Sequence, residues 1–296
     1  LRVCLLAALL AAPVASKLPV SATPAETAFV DALMAKMTVE EKLGQLNQPP
    51  GVGNNTGPAA MAGNEDQIRR GEIGSYLGTQ GAALTCRLQK IAVEESRLGI
   101  PLLFGYDVIH GHRTVFPVPL AESSSFDPEE VQHAARVAAV EAAAHGIHWT
   151  YAPMVDIARD PRWGRIVEGA GEDPYLGSVL AAARVRGFQG DDLRKPDAVL
   201  ATAKHFVAYG AAEAGRDYNV ADISERTLHE VYLPPFKAAI DAGAQSIMAS
   251  FNEIAGVPMH AHRPLIQDLL RKEWGWDGLL VSDYTGVMEL MPHGVA

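Results

Sequence analysis

Five stretches of this 296-residue chain end an apolar run on groups able to do acid–base or hydrogen-bonding chemistry. They are GYDVIHGHR (105–113), YAPMVDIARDPRWGR (151–165), KHFVAYG (204–210), MASFNE (248–253) and SDYTG (282–286). Asp283 follows Leu279-Leu280-Val281-Ser282, a run that reads as a buried strand. A carboxylate there either caps the next helix or is delivered to a reaction site. Asp107 poses the same choice, between a turn residue and an acceptor of paired hydrogen bonds from a polyhydroxylated ligand. Arg162 and Arg165 flank Trp163: an arginine fork can hold hydroxyls or carboxylates, and an indole can cover an apolar sugar face. Either arginine could instead pair locally with Asp160, Glu168 or Glu172. Lys204 and His205 are adjacent, so on a regular strand they face opposite sides and cannot share a lumen unless the strand bends. Met248 and Phe251 read equally as core or as rim packing.

Carboxylates, aromatic rims and basic groups together fit carbohydrate chemistry. Glycoside cleavage needs one carboxyl group to donate a proton and another to attack or to activate water. Asp283 fits the attacking group, with Tyr284 and the lysine and arginine rim expected to keep it ionised. No partner acid stands out among the residues. His110, His112, His145 and His148 lack the spacing of a zinc site, so no metal is expected. No nucleophile-elbow serine motif or phosphate-cradling loop is present, and no cofactor is expected.

The elements that must position these residues alternate regularly. Apolar strands are expected at 73–77, 101–105, 148–152, 198–203, 245–249 and 278–282, and helices at 26–43, 83–97, 127–146, 174–188, 224–241 and 264–273. Asp127 is placed as N-cap of the third helix, with Pro128 at its first position. Strands without polar alternation that alternate with helices imply a parallel sheet buried on both faces. The count and length favour an α/β architecture of the (β/α)8 TIM-barrel type. No G-x-G-x-x-G follows the first strand, which removes support for a dinucleotide fold. In a barrel, reacting groups sit on loops past the strand C-termini, where the five stretches fall.

Composition narrows the partners. The net charge of -10 argues against nucleic acid as a partner. With Cys4 and Cys86 alone, no disulfide framework is expected. Arg2, the apolar stretch 3–12 and the small residues Val14-Ala15-Ser16 read as a secretory signal over 1–16. Its cleavage would leave no stable membrane span and a periplasmic or secreted protein. Asn54-Asn55-Thr56 matches a glycosylation acceptor, and 48–64 reads as a surface loop.

Longer motifs then carry a resemblance. GYDVIHGHRTVFPVPLAESSSFDP (105–128), APMVDIARDPRWGRIVEGAGEDPYLGS (152–178), KHFVAYGAAEAGRDYN (204–219) and VSDYTGVMEL (281–290) resemble glycoside hydrolase family 3, in its periplasmic β-glucosidase branch. The resemblance runs over roughly 26–296. It implies a barrel that hydrolyses terminal β-D-glucosyl residues with retention, Asp283 being the nucleophile. Asp107, Arg165, Lys204, His205 and Met248 fall on positions that hold the non-reducing-end glucose. Phe251 stands where many members have tyrosine, and Tyr284 where some have tryptophan. Two-domain members take their acid/base glutamate from a second α/β-sandwich domain, which this chain is expected to lack, with 17–296 forming a partial barrel domain. The β-N-acetylglucosaminidase branch uses an Asp-x-His pair instead, but here the matching segment reads Asp217-Tyr218-Asn219. The expectation is an incomplete β-glucosidase with little activity on its own. A β-xylosidase and a noncatalytic sugar-binding barrel are the competing readings.

Overall fold

The computed structural model describes residues 22–51 and 64–295. The expected signal over 1–16, Cys4 and the Asn54 triplet lie outside the described residues.

Eight strands are β1 (Ser75–Leu77), β2 (Leu103–Tyr106), β3 (Trp149–Thr150), β4 (Leu200–Phe206), β5 (Ser246–Ala249), β6 (Glu253–Ile254), β7 (Val257–Pro258) and β8 (Leu279–Ser282). Six of them form one curled parallel sheet in the order β1-β2-β3-β4-β5-β8, an incomplete barrel. All six expected strands are present, with ends shifted by at most three residues. The β6–β7 hairpin was not expected from sequence. Its turn residues Ala255 and Gly256 both have positive φ, 51° and 79°, the backbone that two-residue hairpins require.

The helices are α1 (Pro24–Met34), α2 (Val39–Leu46), α3 (Glu65–Arg69), α4 (Ala82–Lys90), α5 (Pro119–Ser123), α6 (Pro128–Ala144), α7 (Pro174–Gln189), α8 (Glu225–Thr227) and α9 (Pro234–Asp241). Pro264–Glu273 is π-helical, and π turns extend α4 through Glu95 and link α8 to α9. The single helix expected at 26–43 is two. Thr38 and Glu41 form a capping box that starts α2 afresh, with the Glu41 N–H donating to Thr38 Oγ1 at 3.2 Å. Asp127 caps α6 as its sequence indicates, accepting from the Glu130 N–H at 3.1 Å.

Packing outside the sheet relies on small residues. Ala135, Ala138, Ala139 and Ala142 are buried on α6. A methyl group at Gly187 of α7 would meet Gln132 O at 2.5 Å, so these two helices approach more closely than any side chain would allow. Gly105 has a similar task inside the sheet: a Cβ there would overlap Tyr151 Oη at 2.0 Å. Polar residues within the sheet satisfy one another. The Trp149 indole donates to Thr202 Oγ1 at 2.6 Å, and Thr202 Oγ1 donates to Ser246 Oγ at 3.1 Å.

β1 and β8 are the sheet's two edges. Beyond β1 lies a bridge between Pro50 and Leu77, and among the described residues no strand pairs with the outer side of β8. Leu279 of β8 is accordingly 43% exposed. No described helix is long and apolar enough to cross a membrane.

One buried ion pair ties α5 to α7: Arg184 Nη2 lies 2.5 Å from Glu122 Oε2. Burial alone would push the guanidinium of Arg184 down, and the Glu122 carboxylate opposes it. Removing one partner leaves a buried charge without compensation. Glu122→Ala is expected to lose about 3–5 kcal/mol in urea denaturation. The double variant Glu122→Leu/Arg184→Met should recover most of that loss.

Candidate active site

The C-terminal ends of the parallel strands bring together the residues whose chemistry was singled out. Asp107 follows β2, Lys204 and His205 lie near the end of β4, Met248 lies in β5, and Asp283 follows β8 directly. Arg165 arrives on the loop after β3.

The requirement that β4 bend is met. Its register against β5 shifts between Lys204 and Phe206, the signature of a bulge. The Lys204–His205 and Phe206–Val207 peptide bonds are cis. Both side chains are buried, Lys204 at 3% and His205 at 1% exposure. Lys204 Nζ donates to Asp107 Oδ1 at 2.8 Å, joining β4 to the β2 loop. Asp107 remains partly exposed, so the pair presents a donor and an acceptor side by side.

Asp283 accepts the Tyr284 N–H on Oδ1 at 2.7 Å. A helix cap would accept from a residue two or three further on, so the capping alternative is not what the structure adopts. Oδ2 of Asp283 is buried without a hydrogen bond and lies 3.6 Å from His205 Nε2. Lys204 and Arg165 favour the ionised form of this carboxyl, and burial opposes them. Burial pushes it up to about 6, outweighing the Tyr284 N–H, Lys204 and Arg165, which draw it down. Tyr284 supplies a backbone donor from a half-buried position.

Of the two arginines, Arg162 is the surface one: it pairs with Asp160, Nη2 to Oδ2 at 2.7 Å. Arg165 makes a bidentate pair with Glu168 at 2.7 and 3.0 Å and sits 5.5 Å from the Tyr209 ring centre. Burial works against its charge, but Glu168 overrides this and holds the guanidinium above its ordinary value. Trp163 does not offer its face to a ligand. It is buried, donates its indole N–H to Asp217 Oδ1 at 2.9 Å and meets Tyr209 edge-on. The aromatic groups nearer the surface are Phe251 and Tyr218, whose ring centres lie 4.9 Å apart. Met248 packs with Trp149 and Tyr151.

The four histidines without zinc-site spacing make contacts within the fold. His110 Nδ1 meets the Phe116 carbonyl at 2.9 Å, His112 Nε2 meets His145 Nδ1 at 2.8 Å, and His148 Nδ1 accepts the Phe104 N–H at 3.3 Å. Among the described residues no group of three or more His, Cys, Asp or Glu could hold a metal ion.

Asp156 was missed in sequence. It lies fully buried behind His205, with Oδ2 2.8 Å from Nδ1. The available signal was a lone carboxylate inside the apolar run from Ala152 to Ala158.

A buried carboxylate, a Lys–Asp pair and an arginine at one rim are groups able to hold vicinal hydroxyls. Residues 38–295 match the glycosyl hydrolase family 3 N terminal domain. A periplasmic beta-glucosidase from Salmonella typhimurium is 43% identical over 92% of this chain and 35% of its own length. A beta-xylosidase from Formosa agariphila is 41% identical over 67% of this chain and 29% of its own length. The crystal structure of a beta-glucosidase from Listeria innocua in complex with isofagomine superposes with a TM-score of 0.86 at 44% identity, covering 92% of this chain and 38% of that one. The chain thus spans about a third of the length of the curated relatives it matches. On the family match and these identities, the chain belongs to glycosyl hydrolase family 3, of which it carries the N-terminal domain.

Proposed function

We propose that this chain carries the nucleophile and sugar-binding half of a retaining, exo-acting β-glucosidase site. The observation that carries the reading is Asp283: a carboxylate at a strand end, one oxygen anchored by a backbone N–H and the other without a hydrogen bond. Oδ2 attacks the anomeric carbon as the glycosidic C–O bond breaks, forming a glycosyl ester that water later hydrolyses. The Asp107–Lys204 pair and Arg165 receive the ring hydroxyls, while Met248, Phe251 and Tyr284 close around the sugar.

The leaving oxygen needs a proton. Carboxyls near Asp283 have partners of their own: Asp107 pairs with Lys204, Glu168 with Arg165 and Asp156 with His205, while Asp217 accepts the Trp163 indole N–H and Glu289 the Thr285 hydroxyl. We infer that the donor comes from a further domain, as the resemblance implies, and that this chain alone turns over poorly. Acid catalysis contributes about 10²–10⁴-fold. A periplasmic or secreted location is supported by the N-terminal pattern of residues 1–16 and by the name of the Salmonella relative. The Formosa relative favours a second substrate, a β-xyloside, which a comparison of aryl glucoside and aryl xyloside turnover distinguishes.

An activated 2-deoxy-2-fluoro glucoside with a dinitrophenolate leaving group needs no acid catalyst. It is expected to esterify Asp283, as read by peptide mass spectrometry; a label on any other residue refutes the assignment. Attack requires the ionised carboxylate, whose midpoint lies at about 6. The labelling rate should therefore be constant well above that pH and fall about tenfold per unit below it.

The same burial sets a stability trend. The folded carboxyl titrates at about 6 against 3.8 for the ordinary group. Stability is fully present below the lower value and falls as pH rises through the upper one. Asp283→Asn is expected to be more stable than wild type at pH 8 by about 1–3 kcal/mol, with the difference closing near pH 4.

A further inference from the structure

Asp156, His205 and Asp283 stand in a line. Oδ2 of Asp156 accepts the His205 backbone N–H at 3.0 Å and lies 2.8 Å from Nδ1 of the same residue. Across the ring, Nε2 is 3.6 Å from Oδ2 of Asp283. Tyr209 meets the imidazole edge-on, 5.0 Å between centres and 79° between planes. The ring is thus fixed by Tyr209 on its face and by Asp156 at Nδ1, which leaves Nε2 directed at the attacking group. Asp156 touches neither the place for a sugar nor Asp283.

The charges facing this line are Lys204 and Arg165, with Glu168 beside Asp156 and Asp107 nearer Asp283. Suppose both aspartates were ionised and His205 were neutral with its hydrogen on Nδ1. The Nε2 lone pair would then face the anionic Oδ2 of Asp283, acceptor against acceptor in a site that excludes water. One further proton on the Asp156–His205 unit removes the conflict. Whether it sits on Oδ2 of Asp156 or on Nδ1, Nε2 then carries a hydrogen. Burial favours the form with that proton on Asp156: it pushes the Asp156 carboxyl up to about 7, against the lowering influence of the His205 backbone N–H, and it pushes the His205 imidazole well down.

We propose that Asp156 is a positioning residue for the nucleophile: acting through Nδ1 of His205, it keeps a hydrogen on Nε2 aimed at Oδ2 of Asp283. This rests on the reading of Asp283 as nucleophile, but the protonation of one ring nitrogen is measurable without turnover. At 3.6 Å the N–H is too far for a full hydrogen bond. It orients the carboxylate and favours its ionised form without blocking attack.

The test is nitrogen NMR of the full chain labelled with 15N-histidine, the His205 signals being those lost in His205→Gln. In wild type at pH 6, below the Asp156 midpoint of about 7, Nε2 should show the shift of a protonated ring nitrogen. In Asp156→Asn the carboxamide oxygen still accepts the backbone N–H and so takes the hydrogen of Nδ1. A carboxamide cannot hold the extra proton, and Nε2 should become bare. Unchanged signals from the other histidines report that the variant is folded. The labelling rate by the fluoro-glucoside should fall about tenfold in Asp156→Asn, with its acidic limb moved to higher pH as Asp283 loses its donor. A bare Nε2 in wild type overturns the proposal, and this holds even if the variant fails to fold. A protonated Nε2 in both proteins overturns the role of Asp156. The expected NMR change with fluoro-glucoside label on another residue would support the Asp156–His205 arrangement and sink the nucleophile reading instead.

Discussion

The site depends on one departure from regularity at the end of β4. A straight strand would send Lys204 and His205 to opposite faces, one into the layer of helices and one into the lumen. The register shift between Lys204 and Phe206 turns both toward the same rim. From there Lys204 reaches back to Asp107 past β2, and His205 lies between Asp156 past β3 and Asp283 past β8. A single kinked strand thus links polar groups from three others. Phe206, the next residue, packs edge-on against Phe236 of α9, 5.2 Å between centres, and so anchors the bend to the hydrophobic layer outside the sheet.

The electrostatics follow from that geometry. Carboxylates, an imidazole, a lysine and an arginine are crowded where water is largely excluded, so the desolvation of each charge competes with its partners. Asp107 and Glu168 each have a cation within hydrogen-bond distance. Asp283 does not, and its nearest oppositely disposed group is an imidazole beyond bonding range. This leaves Asp283 with the least internal satisfaction of these carboxylates, the condition on which its proposed role as nucleophile rests. Buried polar groups without partners are uncommon in folded proteins.

Much of this was legible in the sequence, and the parts that were not share a cause. The six sheet strands announced themselves as short apolar runs between helical patterns, because strands buried on both faces need apolar residues throughout. Asp107, Lys204, His205 and Asp283 were legible as ionisable groups interrupting such runs. The break between α1 and α2 was also encoded, in Thr38 and Glu41, but a continuous helical period masked it. The β6–β7 hairpin was too short to show an alternating pattern. Trp163 could not be placed by type alone, since an indole serves equally as a sugar platform or as a buried donor, and its bond to Asp217 spans 54 positions of chain. Asp156 was hidden for the same reason. Its importance comes from a partner 49 residues away, and the apolar run around it was the one local sign of its burial.

The unpaired outer side of β8 has a consequence for how this site can fail. Among the described residues Leu279–Ser282 hold their course through hydrogen bonds to β5 alone, so the segment leading into Asp283 has half the restraint of β4, which carries Lys204 and His205. Backbone groups bonded on one side open more readily than those of an interior strand. The residues proposed to hold the sugar and the proposed nucleophile therefore belong to regions of unequal rigidity. On that proposal, local loosening along β8 would leave the hydroxyl-binding groups in place while the Asp283 carboxylate drifts out of line, separating recognition from chemistry within one domain.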